Sequence, residues 1–229
     1  MKMESQLDLS KEGRRPSLLG LITSPGEQFE RMRDKPVFWL PLVVVLIISV
    51  AGAYFLNQKL SISSELQELP NAELITSVLS VISIVGSIIG STISLLVSAL
   101  IYWLIVKIGK GQTDYVHMFS LAVFIYFIGA IGQLINGAVI SFANIDPEVI
   151  VTSLNGVIPA GQPLKSLLAV FEIFAIWKLI LLALGLQKVG GISKKAAWTG
   201  VAVLFVISIL LALIGGLFIN FSESFEGAL

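Results

Sequence analysis

No cysteine occurs anywhere in the 229 residues, and histidine occurs once. The first absence excludes disulfides, thiolate metal sites and cysteine nucleophiles. The second excludes a multi-histidine metal centre within one chain. Charge is scarce as well, at 13% of residues, and 15 basic against 15 acidic residues leave no net charge to favour a nucleic-acid partner. No H-E-x-x-H occurs, and no paired carboxylates share a face of an apolar run. His117 stands at the end of such a run, where an imidazole is ordinarily solvated rather than the base of a serine hydrolase. Gly109-Lys110-Gly111 lacks both the four-residue spacing and the Lys-Ser/Thr ending of a phosphate loop. These absences point away from an enzyme and from any cofactor or metal.

What is abundant is apolar sequence. Hydrophobic residues make up 55% of the chain, in runs too long for core strands or short buried helices. The expected fold is therefore all-α, a multi-pass protein of the cell membrane. Five runs serve as transmembrane helices: residues 38–56, 73–106, 116–140, 167–186 and 198–218. They make a membrane domain over 37–220, preceded by a mobile or headgroup-resting arm (1–23) and a short interfacial helix (24–36), and followed by a tail (221–229). Ala51-Gly52-Ala53 resembles a signal-peptidase site, but the leader before it is too long and the run itself long enough to remain as an anchor. Ser24-Pro25-Gly26-Glu27 reads as a capping box with proline in the first helical position, and Pro36 ends that helix. Phe29 and Met32 share one side of it. Arg31, Arg33 and Lys35 crowd its end, a surface suited to anionic lipid or a partner. In the longest loop, 141–166, Asp146-Pro147-Glu148 reads as the start of a short helix.

Lysine and arginine set the orientation. The N-terminal arm and the interfacial helix together hold seven, and the four loops hold one, two, one and three in turn, with none in the tail. This alternation expects a cytoplasmic N-terminus and an external C-terminus. Trp39, Trp103 and Trp198 then all fall at the inner interface.

Within the second run, Ser77, Ser80, Ser83, Ser87, Ser91, Ser94 and Ser98 recur in steps of three and four, which keeps them on one helical face; Gly86 and Gly90 lie beside them. One reading is a packing seam of small residues, which makes this helix the hub of the bundle. The other is a polar lining for a solute path. Lys178 and Glu172 are the charges deepest in apolar sequence. Lys178 precedes Lys188 by ten residues, ~15 Å along a helix. At that depth a charge costs ~2.5–3.5 kcal/mol on the insertion scale. Glu172 is turned about 120° from Lys178 on an ideal helix. Each is thus expected to meet a polar group on another helix, with Gln133, Asn136 or the serines as candidates. The group reads either as a substrate, proton or partner site, or as a snorkelling lysine with a carboxylate near the headgroups.

Thr23-Ser24-Pro25-Gly26-Glu27-Gln28-Phe29, followed by Lys35-Pro36 and the first run, resembles the opening of the bacterial Yip-one (Ypt-interacting protein, YIP domain) family. Phe171-Glu172-Ile173-Phe174-Ala175-Ile176-Trp177-Lys178-Leu179, continuing through Leu184-Gly185-Leu186 to Val189-Gly190-Gly191-Ile192-Ser193-Lys194-Lys195-Ala196, is similar to that family's fourth-span signature. The resemblance covers about residues 17–220. It implies five spans, a cytoplasmic N-terminus and a non-enzymatic scaffold or accessory role. Within the family it lies nearest to members that accompany an ABC exporter in resistance to antimicrobial peptides. Eukaryotic members are associated with Golgi vesicle traffic. The implied partners are the lipid bilayer and other membrane proteins, among them ABC exporter subunits, and a homo-oligomer stays open. The alternatives are a small-solute channel or carrier built on the serine stripe and Lys178, and a membrane organisation or trafficking factor.

Overall fold

The structure is a computed structural model that describes residues 15–57, 71–143, 145 and 149–226. The described residues form α1 (Leu18–Thr23), α2 (Pro25–Asp34), α3 (Trp39–Asn57), α4 (Ala72–Ile108), α5 (Tyr115–Ala143), a 3-10 turn (Leu154–Gly156), α6 (Leu164–Ala169), α7 (Ile173–Lys188) and α8 (Lys194–Glu226). They contain no strand beyond one isolated bridge. The fold is thus all-helical. Three stretches are long and apolar enough to cross a membrane: Ala72–Ile108, Tyr115–Ala143 and Lys194–Ser222; Trp39–Phe55 is a shorter apolar helix. The expectations for residues 1–14 and 58–70 and for Asp146-Pro147-Glu148 lie outside the described residues.

Local chemistry sets the limits of α4. Asn71 adopts a left-handed φ of 77° and its carbonyl accepts the Ile75 N–H at 3.1 Å; asparagine tolerates this region better than other side chains. At the far end Lys110 is also left-handed, with φ 60°. Lys110 N bonds Lys107 O at 3.1 Å and Gly111 N bonds Val106 O at 2.9 Å, the paired bonds of a Schellman stop. Gly109-Lys110-Gly111 is therefore a helix terminator. Gly191 (φ 69°) is the left-handed residue after α7, with its N–H bonded to the Gln187 carbonyl at 3.2 Å.

The chain divides into two compact units. One comprises the residues up to Val45, Ser94–Phe127 and Leu179–Val201. In it α1 and α2 each turn one side inward, with Leu21, Phe29 and Met32 fully buried. Buried Gln28 joins the two helices: the Ser17 N–H donates to its Oε1 at 2.9 Å, and its Nε2 donates to Ser24 Oγ at 3.5 Å. The expected capping box does not form. Ser24 closes α1 as well as opening α2, so its hydroxyl turns back to the Gly20 carbonyl at 3.4 Å, and Glu27 pairs instead with Arg31 at 2.5 Å.

Asp114 caps α5 by accepting the His117 N–H at 2.9 Å and facing its Nδ1 at 2.6 Å. The other imidazole nitrogen faces the Arg33 carbonyl at 3.1 Å, and the Ser120 hydroxyl donates to the Val37 carbonyl at 2.9 Å. Glu30 pairs with Lys188. The hydrogen bond from Lys188 holds the Glu30 carboxyl below its usual range, and His117 does the same for Asp114. A depressed carboxylate contributes stability that is complete above its unfolded pKa of about 4 and is lost as pH falls through the lowered value. Both pairs are largely exposed and screened, so the effect is small. Expected is a thermal midpoint that is level from about pH 7 to about pH 5 and falls below about pH 4. Lys188→Met combined with Asp114→Asn should flatten that fall; an undiminished fall places the acid sensitivity elsewhere.

The second unit comprises Leu46–Ile93, Ile128–Lys178 and the residues from Ala202 onward. Here α3 and α5 lie side by side in the same direction, with Gly52 against Gln133 and Gly137 and Phe55 against Phe142. A Cβ on Gly137 would come within 2.7 Å of the Gly52 carbonyl oxygen, and one on Gly52 within 3.1 Å of Leu134 N. This is a small-residue contact of the membrane kind.

The glycines of the serine helix make no such contact: among the described residues nothing lies within 4 Å of a Cβ placed on Gly86 or Gly90. Ser77, Ser80 and Ser94 are exposed, while Ser83, Ser87, Ser91 and Ser98 are half-buried. Of the apolar window in α4 11% is buried, against 61% in α5, so α5 rather than α4 is the most enclosed of the long helices. The reason is local. Ser77, Ser80 and Ser87 donate to the carbonyls of Glu73, Thr76 and Ile84, so these hydroxyls require no neighbouring helix.

The fourth apolar run, expected to be continuous over 167–186, is broken. Residues 170–172 separate α6 from the 16-residue α7. Leu154 N bonds Phe171 O at 3.2 Å and Ile173 N bonds Thr152 O at 3.1 Å, a short antiparallel pairing that takes this backbone out of the helix.

Candidate functional site

The break is organised by Glu172. Its Oε2 accepts the Ala175 N–H at 2.6 Å, which makes it the side-chain cap of α7, and its Oε1 accepts the Thr152 hydroxyl at 2.6 Å. Thr152 is held in turn by Asn136. The Asn136 amide donates to Thr152 Oγ1 at 2.7 Å and to the Gly132 carbonyl at 2.9 Å, while its Oδ1 accepts the Thr152 N–H at 3.0 Å. A connected polar chain thus runs from α5 through the 149–156 segment to the start of α7, and such chains rigidify what they join.

Lys178 reaches the same place from within α7. A Cβ on Gly129 would lie 3.1 Å from Lys178 Cδ and Nζ, and one on Gly132 would lie 2.8 Å from the Phe174 ring. Two missing side chains on one face of α5 therefore make the groove that Phe174 and Lys178 occupy. Glu172 acts on Lys178 through space, but both its oxygens are already engaged. Among the described residues no acceptor stands within hydrogen-bond distance of Lys178 Nζ. The side chain borders a cavity of about 250 Å³ lined also by Gln133, Asn136, Glu172, Ile140, Val149 and Ile150.

Lys178, Glu172, Gln133 and Asn136, the four residues singled out as intramembrane polar candidates, are thus brought to one cavity. They do not play equal parts. Asn136 and Glu172 are bonded into the framework, Gln133 is exposed, and Lys178 keeps its donors for the cavity. The serines of α4 are not among its walls. Sequence reasoning missed Thr152, which sits in a polar loop with nothing to distinguish it, and Gly129 and Gly132, whose helical spacing in an otherwise bulky run was the available signal. Of the three basic residues of α2, Arg33 and Lys35 are exposed, but Arg31 is turned inward with its Nε buried and without a partner. That corrects its assignment to the free surface: the Glu27 carboxylate draws it along its own helix.

The cavity presents the Lys178 ammonium and the Glu172 carboxylate together with the Gln133 and Asn136 amides, a polar group set against Ile140, Val149 and Ile150. Comparison with known proteins fits a membrane role. The Yip1 domain matches residues 19–216. The Membrane protein YknW of Bacillus subtilis (strain 168) is 41% identical over 210 residues, a match spanning 89% of this chain and 91% of that protein. No solved structure matches.

Proposed function

Because the chain belongs to the Yip1 domain family, we propose that it is a non-catalytic membrane scaffold or accessory protein that offers α4 to other membrane subunits. The partner suggested by the family likeness is an ABC exporter that clears toxic peptides. In this reading the chain crosses the cell membrane five times, through α3, α4, α5, the broken α6–α7 segment and α8. The arm and the second and fourth loops, rich in lysine and arginine, lie in the cytoplasm, and the C-terminus lies outside. Arg33 and Lys35 face anionic headgroups or a partner's cytoplasmic side.

The observation that carries the proposal is the open face of α4. Its apolar window is 11% buried, a Cβ at Gly86 or Gly90 meets nothing, and hydroxyls of the stripe are satisfied by their own helix. A stripe whose glycines meet nothing among the described residues, and several of whose serines bond back to their own helix, is fitted to receive a foreign helix closely. The Lys178 cavity favours a second reading, a small-solute carrier, in which α4 would be incidental.

Co-purification in mild detergent separates them. Gly86→Leu with Gly90→Leu should lower recovery of the exporter's membrane subunits at least several-fold while leaving abundance and thermal midpoint unchanged. Undiminished recovery would remove α4 as the docking face.

A further inference from the structure

We infer that the cavity at the break between α6 and α7 is a binding site for the phosphate-bearing headgroup of an anionic phospholipid, with Lys178 as its counter-charge. This goes beyond the docking role and does not depend on it. A lysine held in apolar surroundings requires an anion or strong acceptor, and a buried cation left without one is strongly unfavourable. Its nearest carboxylate, Glu172, has one oxygen bonded to the Thr152 hydroxyl and the other to the Ala175 N–H, and Asn136 is committed to Thr152 and Gly132. Lys178 borders the cavity, and among the described residues none accepts a hydrogen bond from its ammonium group. Interrupted membrane helices are also where ligand sites of membrane proteins are built, because the broken backbone and the bundle's polar groups converge there.

Size and charge narrow the occupant. At ~30 Å³ per water the cavity of about 250 Å³ has room for about eight, more than a single small ion fills. It suits a glycerophosphate group, with Ile140, Val149 and Ile150 against the carbon atoms. The Glu172 carboxylate nearby opposes a doubly charged guest, so a phosphodiester, which keeps one negative charge, fits better than free phosphate, much of which carries two at neutral pH.

The test uses the full chain, delipidated in neutral detergent, and follows its thermal midpoint as phosphatidylglycerol, phosphatidylcholine or inorganic phosphate is added. Expected is a saturable rise of roughly 2–4 °C with phosphatidylglycerol and little with the other two. Lys178→Met should abolish the rise and Lys178→Arg should retain part of it. A response of Lys178→Met equal to that of the wild type overturns the site. So does a wild-type protein with no preference for phosphatidylglycerol over phosphatidylcholine, a result that needs no variant to fold. A rise with inorganic phosphate alone overturns the lipid and assigns the cavity to a free oxyanion.

Discussion

Gly137→Leu should destabilise the protein by about 1–3 kcal/mol or more, the range for forcing atoms into a packed interior. The first added carbon would fall 2.7 Å from the Gly52 carbonyl oxygen, and backbone cannot swing aside as a long side chain can. The strain must then separate α3 from α5, where Phe55 and Phe142 also touch with ring centroids 5.7 Å apart. Gly86→Leu and Gly90→Leu provide the contrast. Both point into open space, and each should change stability by no more than the ~0.5 kcal/mol typical of surface sites. Equal losses from the two sets of variants would show that the contact between α3 and α5 is no more decisive than the open face of α4.

Asn136→Leu should be comparably damaging for a different reason. The side chain makes three hydrogen bonds, and its loss strands the Thr152 N–H, a group whose desolvation without a partner costs ~1–3 kcal/mol, and removes the donor to Thr152 Oγ1. A total on the order of 3 kcal/mol follows. Hydrogen exchange should report it as accelerated opening of residues 150–156 and 171–175, which share the pairing around Thr152. Gln133→Leu, at an exposed position on the same helix, should leave exchange there unchanged. Acceleration by both variants alike would mean that the cavity wall as a whole, and not the Asn136 bonds, holds this region.

The long helices were legible because a bilayer demands long apolar runs, and α3, α4, α5 and α8 begin and end within a few residues of the expected spans apart from the extra turns of α8. The convergence of Lys178, Glu172, Gln133 and Asn136 was legible for a related reason: polar groups in apolar surroundings have few places to go. The break at 170–172 was not. Val170-Phe171-Glu172 is locally compatible with a helix, and it leaves the helix because distant residues 152–154 compete for its backbone. The serine spacing fixed a face but could not say what covers it, since a hydroxyl bonded three or four residues back is satisfied with or without a neighbour. Gly52 and Gly137 gave no signal of their own, being single glycines in separate runs whose meeting depends on the packing of α3 on α5. Ser24 misled because one residue ends one helix and begins the next.

The pair between Glu30 and Lys188 joins residues 158 positions apart. A ribosome working at roughly 5–20 residues per second needs on the order of ten to thirty seconds to traverse that distance. For that interval the newborn α2 lacks its ion pair to Lys188. The contact can close only after the end of α7 has been made, so one bond of the amino-terminal region waits until late in synthesis although half of it is translated first.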